Sequence, residues 1–289
     1  MHDCAAYLAQ ALPGVLDQLA DRDDVEVVVV DDASGDDPEG VVNHLGRGRT
    51  RYVRNPVNLG AVATFNRCLE LAQGELVHLL HGDDLVLPGF YAAMEQALDA
   101  EPSALAVVCR AEDVTAEVVA THVTRSYRRG TGVWEDALGS LAVSNRVRAP
   151  GVVVRRRAYE QVGGFRTDLP HAADWEMWTR LAAAGPLVFV DEVLARYRRH
   201  GASDTSTRVQ SGANVRERVT ALGVVVAYAP PADQARLGRR GLAYATVFAA
   251  RTAVQLARTG RRRGALRQLR EAGRCLLLLP TGVPSAASR

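Results

Sequence analysis

Apolar positions recur at helical spacing from the start of the chain. Tyr7, Leu8, Leu12, Val15, Leu16 and Leu19 give residues 4–20 an inward face, which predicts an amphipathic helix. The period then changes. Val25 to Val30 is a β-branched run and reads as a buried strand. Thr50 to Val53 reads as a short strand entering Asn55-Pro56-Val57-Asn58-Leu59-Gly60, a loop by its Asn, Pro and Gly content. Val62, Phe65, Leu69 and Leu71 make residues 61–72 a helix. Glu75 to Leu80 predicts the next strand, Pro88 opens a helix over 89–99, and Leu105 to Arg110 is a further strand. This alternation predicts a three-layer α/β fold with a mostly parallel sheet.

The regularity fades after residue 110. Val152 to Val154 reads as a strand. Asp174 to Ala184 reads as a helix with Trp175, Trp178 and Leu181 on one face. Leu187–Val190 and Val193–Tyr197 read as two short strands. Residues 201–213 are rich in Ser, Thr and Gly and read as a loop or linker. Helical stretches follow at roughly 214–228, 232–258 and 261–277. The expected division is an α/β domain over 1–205 and a helical C-terminal extension over 206–289.

Two of the strands end abruptly in paired carboxylates, Asp31-Asp32 and Asp83-Asp84. Ligands of open α/β sheets bind outside the carboxyl ends of strands, so up to four carboxylates would line one crevice. Asp31 and Asp32 can accept hydrogen bonds from a nucleobase or a ribose. The alternative is a solvated pair beside a helix cap at Ser34 or Asp36. Asp83 and Asp84, beside Gly82, are hard ligands suited to Mg²⁺ or Mn²⁺ shared with a diphosphate; the alternative is a solvated turn. Asp174 precedes large aromatics, whose desolvation would raise its pKa and suit a general base. It equally suits a helix cap. His200 could complete a metal shell and Arg198 or Arg199 could hold phosphate; a structural histidine is the competing reading.

Composition narrows the class. The 289 residues are 47 % hydrophobic and 24 % charged, ordinary for a globular protein, and a net charge of +2 gives no field for nucleic acid. All 35 basic residues are Arg, which reads as coding bias. Four cysteines without a CxxC spacing read as buried thiols. The N-terminus carries no signal-peptide pattern, and runs such as Leu276–Leu279 fall far short of the roughly 20 residues of a membrane span. The chain reads as cytoplasmic. The arginines and leucines beyond Gly260 allow a helix resting on the inner face of a membrane, against the plainer reading of a solvated basic face.

Seven segments in order resemble the family-2 glycosyltransferases: Val27–Ser34; Arg51–Gly60; Asn66 with Ala72-Gln73-Gly74-Glu75; Asp83-Asp84 with Leu87-Pro88; Val162–Phe165; Asp174–Trp178; and Ala195–His200. The resemblance implies a GT-A fold, Rossmann-like, with a three-layer mixed sheet. It implies inverting transfer from a nucleotide-sugar donor to a glycan, lipid-linked or small-molecule acceptor, in cell-envelope polysaccharide synthesis. Nucleotide contact falls to Asp31, Asp32, Asn58, Gly60, Asn66 and Asp84, the metal (Mg²⁺ or Mn²⁺) to Asp83 and His200, and the base to Asp174. The chain departs from the family pattern at His81, where an Asp is usual, and at Ala173, where a Glu is usual. A strand that precedes the first helix in the family is missing ahead of Met1, which implies a true start upstream. These departures favour the alternative of a catalytically inactive nucleotide-sugar binding or scaffold protein. The absence of GxGxxG speaks against other nucleotide enzymes.

Overall fold

The computed structural model describes residues 1–200 and 204–283, with side chains from 208 onward in the second stretch. These form two compact units. The first comprises Met1–Glu135, Val147–Thr167 and Ala184–Arg199; the second comprises Asp136–Arg146, Asp168–Ala183 and His200–Arg289. Two inner segments, Asp136–Arg146 and Asp168–Ala183, thus belong with the C-terminal helices in the second unit.

The chain begins with α1 (Ala5–Asp17), β1 (Val27–Asp31), α2 (Pro38–Leu45), β2 (Thr50–Arg54), α3 (Ala61–Leu71), β3 (Leu76–His78), β4 (Leu85–Val86), α4 (Phe90–Asp99) and β5 (Ala106–Val114). It continues with β6 (Ala120–Val123), β7 (Gly132–Val133), α5 (Ala137–Leu141), β8 (Val152–Arg155), α6 (Arg156–Val162), α7 (Ala173–Ala184) and β9 (Leu187–Arg198). Four helices close it: α8 (Asp204–Ser211), α9 (Ala213–Val226), α10 (Pro231–Arg258) and α11 (Arg262–Leu278).

In the first unit, β1 and β2 form a parallel pair in the register Val27↔Thr50 to Asp31↔Arg54. A larger sheet runs β3-β8-β5-β9-β4, with β6 beside β5 and β7 beside β9. Only β5 and β9 pair parallel within it; β8 is antiparallel to both β3 and β5. The sheet is therefore mixed, and the mostly parallel expectation is corrected. The regular βα alternation that gave it stops at β5, and β5 turns straight back into β6 as a hairpin. The two strands expected over 187–197 are one strand. Cys109 pairs with Val190 but Arg110 pairs with Val193, so Asp191 and Glu192 bulge out of a continuous ladder. Behind the sheet, Phe90, Met94 and Leu98 of α4 are fully buried against Val107 and Val188.

The two sheets do not join. Among the described residues β1 pairs only with β2, and β3 only with β8. Between them lies a slot of ≈ 460 Å³ lined by Val27–Val30, Leu76–Leu80 and the inward side of α1. At its mouth Met1 behaves as a strand residue beside Asp31. Its amine donates to Val30 O (2.7 Å) and its carbonyl accepts from Asp32 N–H (2.8 Å), the two bonds of a parallel bridge.

In the second unit, Trp175 of α7 packs with Leu222 and Val225 of α9, and its indole N–H donates to Leu141 O (2.6 Å). The loop expected over 201–213 is corrected where it is described. Asp204–Ser211 is helix, because α8 is held by its neighbours: Gln268 of α11 donates to Val209 O (2.6 Å), and Arg208 pairs with Glu217. Tertiary contact overrides the weak helix preference of Ser and Thr. Residues 201–203 of that expectation lie outside the described residues. No helix among the described residues is long and apolar enough to cross a membrane.

Candidate functional site

β1 delivers Asp31 and Asp32 to its C-terminal end, where both are buried, at 0 % and 2 % exposure. Neither is solvated. Asp31 accepts from Ser34 N–H (3.0 Å) and Tyr52 Oη (2.7 Å), and also pairs with Ser34 Oγ and Arg54. Asp32 accepts from the Asn55 amide (2.9 Å) and from Leu59 N–H (2.8 Å) and Gly60 N–H (2.9 Å). Burial pulls both carboxyls upward, but the donors outweigh it and hold each below the usual carboxylate range. The turn that follows them is tight: Ala33 sits at φ +59°, where a β-carbon is unfavourable. The helix caps fall elsewhere than expected. Asp37 caps α2 by accepting from Gly40 N–H (3.0 Å), and Asp36 accepts from Ala5 N–H (2.7 Å) at the start of α1.

Asp32 thereby shapes the loop that carries Asn58 and Gly60. Asn58 Oδ1 accepts from Gly60 N–H (3.0 Å), and Gly60, at φ +84°, is the residue from which α3 starts. Asn66, one turn further, is a clamp. Its amide donates to Phe165 O (2.9 Å) and accepts from Phe165 N–H (2.7 Å). A β-carbon on Gly164 would come within 2.6 Å of Asn66 Oδ1, so the approach needs glycine.

The second acidic pair sits in the turn after β3. Ligand atoms of His81, Asp83 and Asp84 all lie within 4.8 Å of one another. Asp84 is fully buried; its Oδ1 accepts from Arg198 N–H (2.8 Å), while its Oδ2 has no hydrogen-bond partner among the described residues. Burial, and then the neighbouring Asp83, push its carboxyl well above the ordinary range. A buried acceptor without a hydrogen bond, 3.7 Å from His81 Nδ1 and beside the Asp83 carboxylate, fits a hard divalent ion. His81 is thus a third candidate ligand, not merely a lost aspartate. Its ring stacks on Phe65 at 5.0 Å and 8°. Sequence reading missed this because i, i+2, i+3 spacing in a turn brings the side chains together only when the backbone curls.

The suggestion that Arg198 binds phosphate is corrected. Its side chain is buried and donates to Asp83 O (2.7 Å), Ala116 O and Gln10 Oε1 (3.0 Å), so it braces the turn of Asp83 and Asp84 from behind. Arg199 is exposed and lies 3.6 Å from Asp113.

Asp174 and His200 belong to the second unit, whereas the four strand-end aspartates belong to the first. Asp174 opens α7 with both oxygens engaged: Oδ1 accepts from Trp175 N–H (2.6 Å) and Oδ2 from the Asn145 amide (2.9 Å). Asn145 had no motif to announce it. Two residues on, Glu176 is wholly buried and bonded to Tyr228 and Arg180, so it anchors the helix that presents Asp174.

These arrangements have parallels in known proteins. The sequence pattern of "Glycosyl transferase family 2" matches residues 1–163, more than half of the chain. A Mycobacterium tuberculosis relative, "Uncharacterized protein MT1568", is 30 % identical over 73 % of this chain and 68 % of its own length. The Staphylococcus aureus protein TarS (residues 1–349), solved with UDP-GlcNAc, has 16 % identity and a TM-score of 0.67 over 95 % of this chain and 89 % of that one. The mannosyltransferase PcManGT from Pyrobaculum calidifontis, solved with GDP-Man and Mn²⁺, has 20 % identity and a TM-score of 0.61 over 97 % and 85 %. With its mixed α/β sheet, the chain belongs to glycosyl transferase family 2 and is a glycosyltransferase of the GT-A fold.

Proposed function

We propose that this chain moves a sugar from a nucleoside diphosphate donor to an acceptor hydroxyl, with inversion and with Asp174 as general base. The cluster His81–Asp83–Asp84, with a buried carboxylate oxygen that accepts no hydrogen bond, is the observation that carries the donor end. These residues would hold a divalent ion, Mg²⁺ or Mn²⁺, which supplies charge neutralisation at the donor diphosphate. His200, on the resemblance, is a further ligand. Asp31 and Asp32 act on the nucleoside end largely by fixing the turn at Ser34 and the loop at Asn58 and Gly60; Arg54 on Asp31 is the partner a ribose could replace. Asn66 then acts at one remove, by tying α3 to Phe165.

Asp174 takes the acceptor proton. Asn145 and the Trp175 N–H keep its two oxygens oriented, so that one lone pair of each remains for the acceptor. The acceptor is a glycan, a lipid-linked sugar or a small molecule, and peripheral membrane contact through the C-terminal helices belongs to the same reading.

Release of nucleoside diphosphate from a panel of nucleotide sugars with Mn²⁺ tests this. Turnover should fall at least about a hundredfold in Asp174→Asn, the loss typical of a removed general base. Mn²⁺ binding, followed by the paramagnetic signal of the free ion, should weaken in Asp83→Ala and stay intact in Asp174→Asn. Mn²⁺ and nucleotide binding without turnover of any donor would instead favour an inactive nucleotide-sugar binding protein, the reading that His81 and Ala173 suggest.

A further inference from the structure

α11 is assembled with its leucines facing out. The side that packs on its neighbours carries the small residues Gly264, Ala265, Ala272 and Cys275, which let helices approach closely, together with two buried polar side chains, Gln268 and Glu271. The large apolar residues point the other way. Leu266 is 68 % exposed, Leu269 52 %, Leu276 53 % and Leu277 79 %. Their spacing of i, i+3, i+10 and i+11 puts them on one side of the helix. Arg263, Arg267, Arg270 and Arg274, at i, i+4, i+7 and i+11, form an adjacent exposed stripe. The one acidic residue of the helix, Glu271, is buried and already bonded to Arg216 and Arg274.

A helix that buries alanines and exposes leucines is not organised for water alone. We infer that this face of α11 rests on an anionic lipid surface, with the leucines in the headgroup–acyl boundary and the arginines on lipid phosphates. Charge complementarity selects that occupant. A second copy of the chain would bring two arginine stripes against each other with no exposed carboxylate on either helix to answer them. A nucleic acid would match the arginines but leave the leucine side in water. The geometry is that of a helix lying in the interface plane, not crossing it. The inference rests on the proposed function only for its purpose, which is to bring a donor site to a lipid-linked acceptor; binding is measured without turnover.

The test is co-sedimentation of the full chain with vesicles of phosphatidylcholine alone and of an equal mixture with phosphatidylglycerol. Binding should require phosphatidylglycerol and fall with added salt. Arg267→Gln should weaken it about fivefold, the worth of one arginine near an anionic surface. Leu269→Ser with Leu277→Ser should weaken it at least as much while leaving thermal unfolding unchanged, since both side chains are exposed. No binding to either vesicle overturns the inference. So does binding that neither variant alters, or loss of a dimer rather than of vesicle binding in the leucine variant. Failure here leaves donor turnover untouched, and failure of donor turnover leaves vesicle binding standing.

Discussion

Asn66 uses both ends of its amide on the backbone of one residue ninety-nine positions away, Phe165. Asn66→Ala leaves two main-chain groups without their partners. It should cost about 2 kcal/mol in urea unfolding, against a few tenths for an ordinary exposed substitution. A change below about 0.5 kcal/mol would show that the clamp is incidental. His78 makes a second prediction. Its Nε2–H donates to Pro150 O (3.1 Å), its Nδ1 accepts from Tyr91 Oη (3.3 Å), and its ring tilts against Phe90. Burial first, and the charge of His81 as a minor effect, lower its pKa to about 4. In the unfolded chain the same ring takes a proton near pH 6.5, so acid favours unfolding. The stability due to a neutral His78 is complete above about pH 6.5 and lost as pH falls toward 4, by up to about 3 kcal/mol. His78→Phe keeps the ring contacts and should flatten that slope between pH 7 and 5; an unchanged slope would assign it to other groups.

At the scale of elements, what could be read from the sequence depended on whether the signal was local. Val27–Val30 running into Asp31-Asp32 announces a strand that ends in an acidic pair, and the structure has β1 there. α3, α4, α7 and the last three helices also fall where periodicity puts them, within a few residues. β9 reads as two strands in the sequence because Asp191-Glu192 interrupts the apolar pattern; only the partner strand shows that the ladder continues past the bulge. α8 reads as a loop in the sequence because what holds it comes from α11 and α9, through Gln268 on Val209 O and Glu217 on Arg208. Within the candidate site, Asp83 and Asp174 are legible from strand-end and helix-start patterns. Asn145 and the burial of Arg198 are not, since nothing near them in the chain encodes their partners. Gly164 is a test of such a hidden fit. Gly164→Ala pushes a methyl group to 2.6 Å from Asn66 Oδ1, so it should match Asn66→Ala in cost, and the two changes together should cost less than their sum. Simple additivity in a double-mutant cycle would mean the two positions do not share one contact.

The whole first unit carries one unfinished seam, the slot between β1 and β3. Two rows of backbone donors and acceptors face each other there across a lining of valines and leucines, with Met1 already hydrogen-bonded as the first rung. An extended apolar segment joined ahead of Met1 would run along β1 and zip the two sheets into one. Such a fusion should raise the unfolding temperature by several degrees, about 2–4 °C for each kcal/mol recovered; a polar, glycine-rich fusion of equal length should not. The same seam makes the chain a receptor for any stray strand. A slot of this kind should take up an added strand, so a short apolar peptide in excess should bind there and raise the unfolding temperature, and a polar peptide of equal length should not.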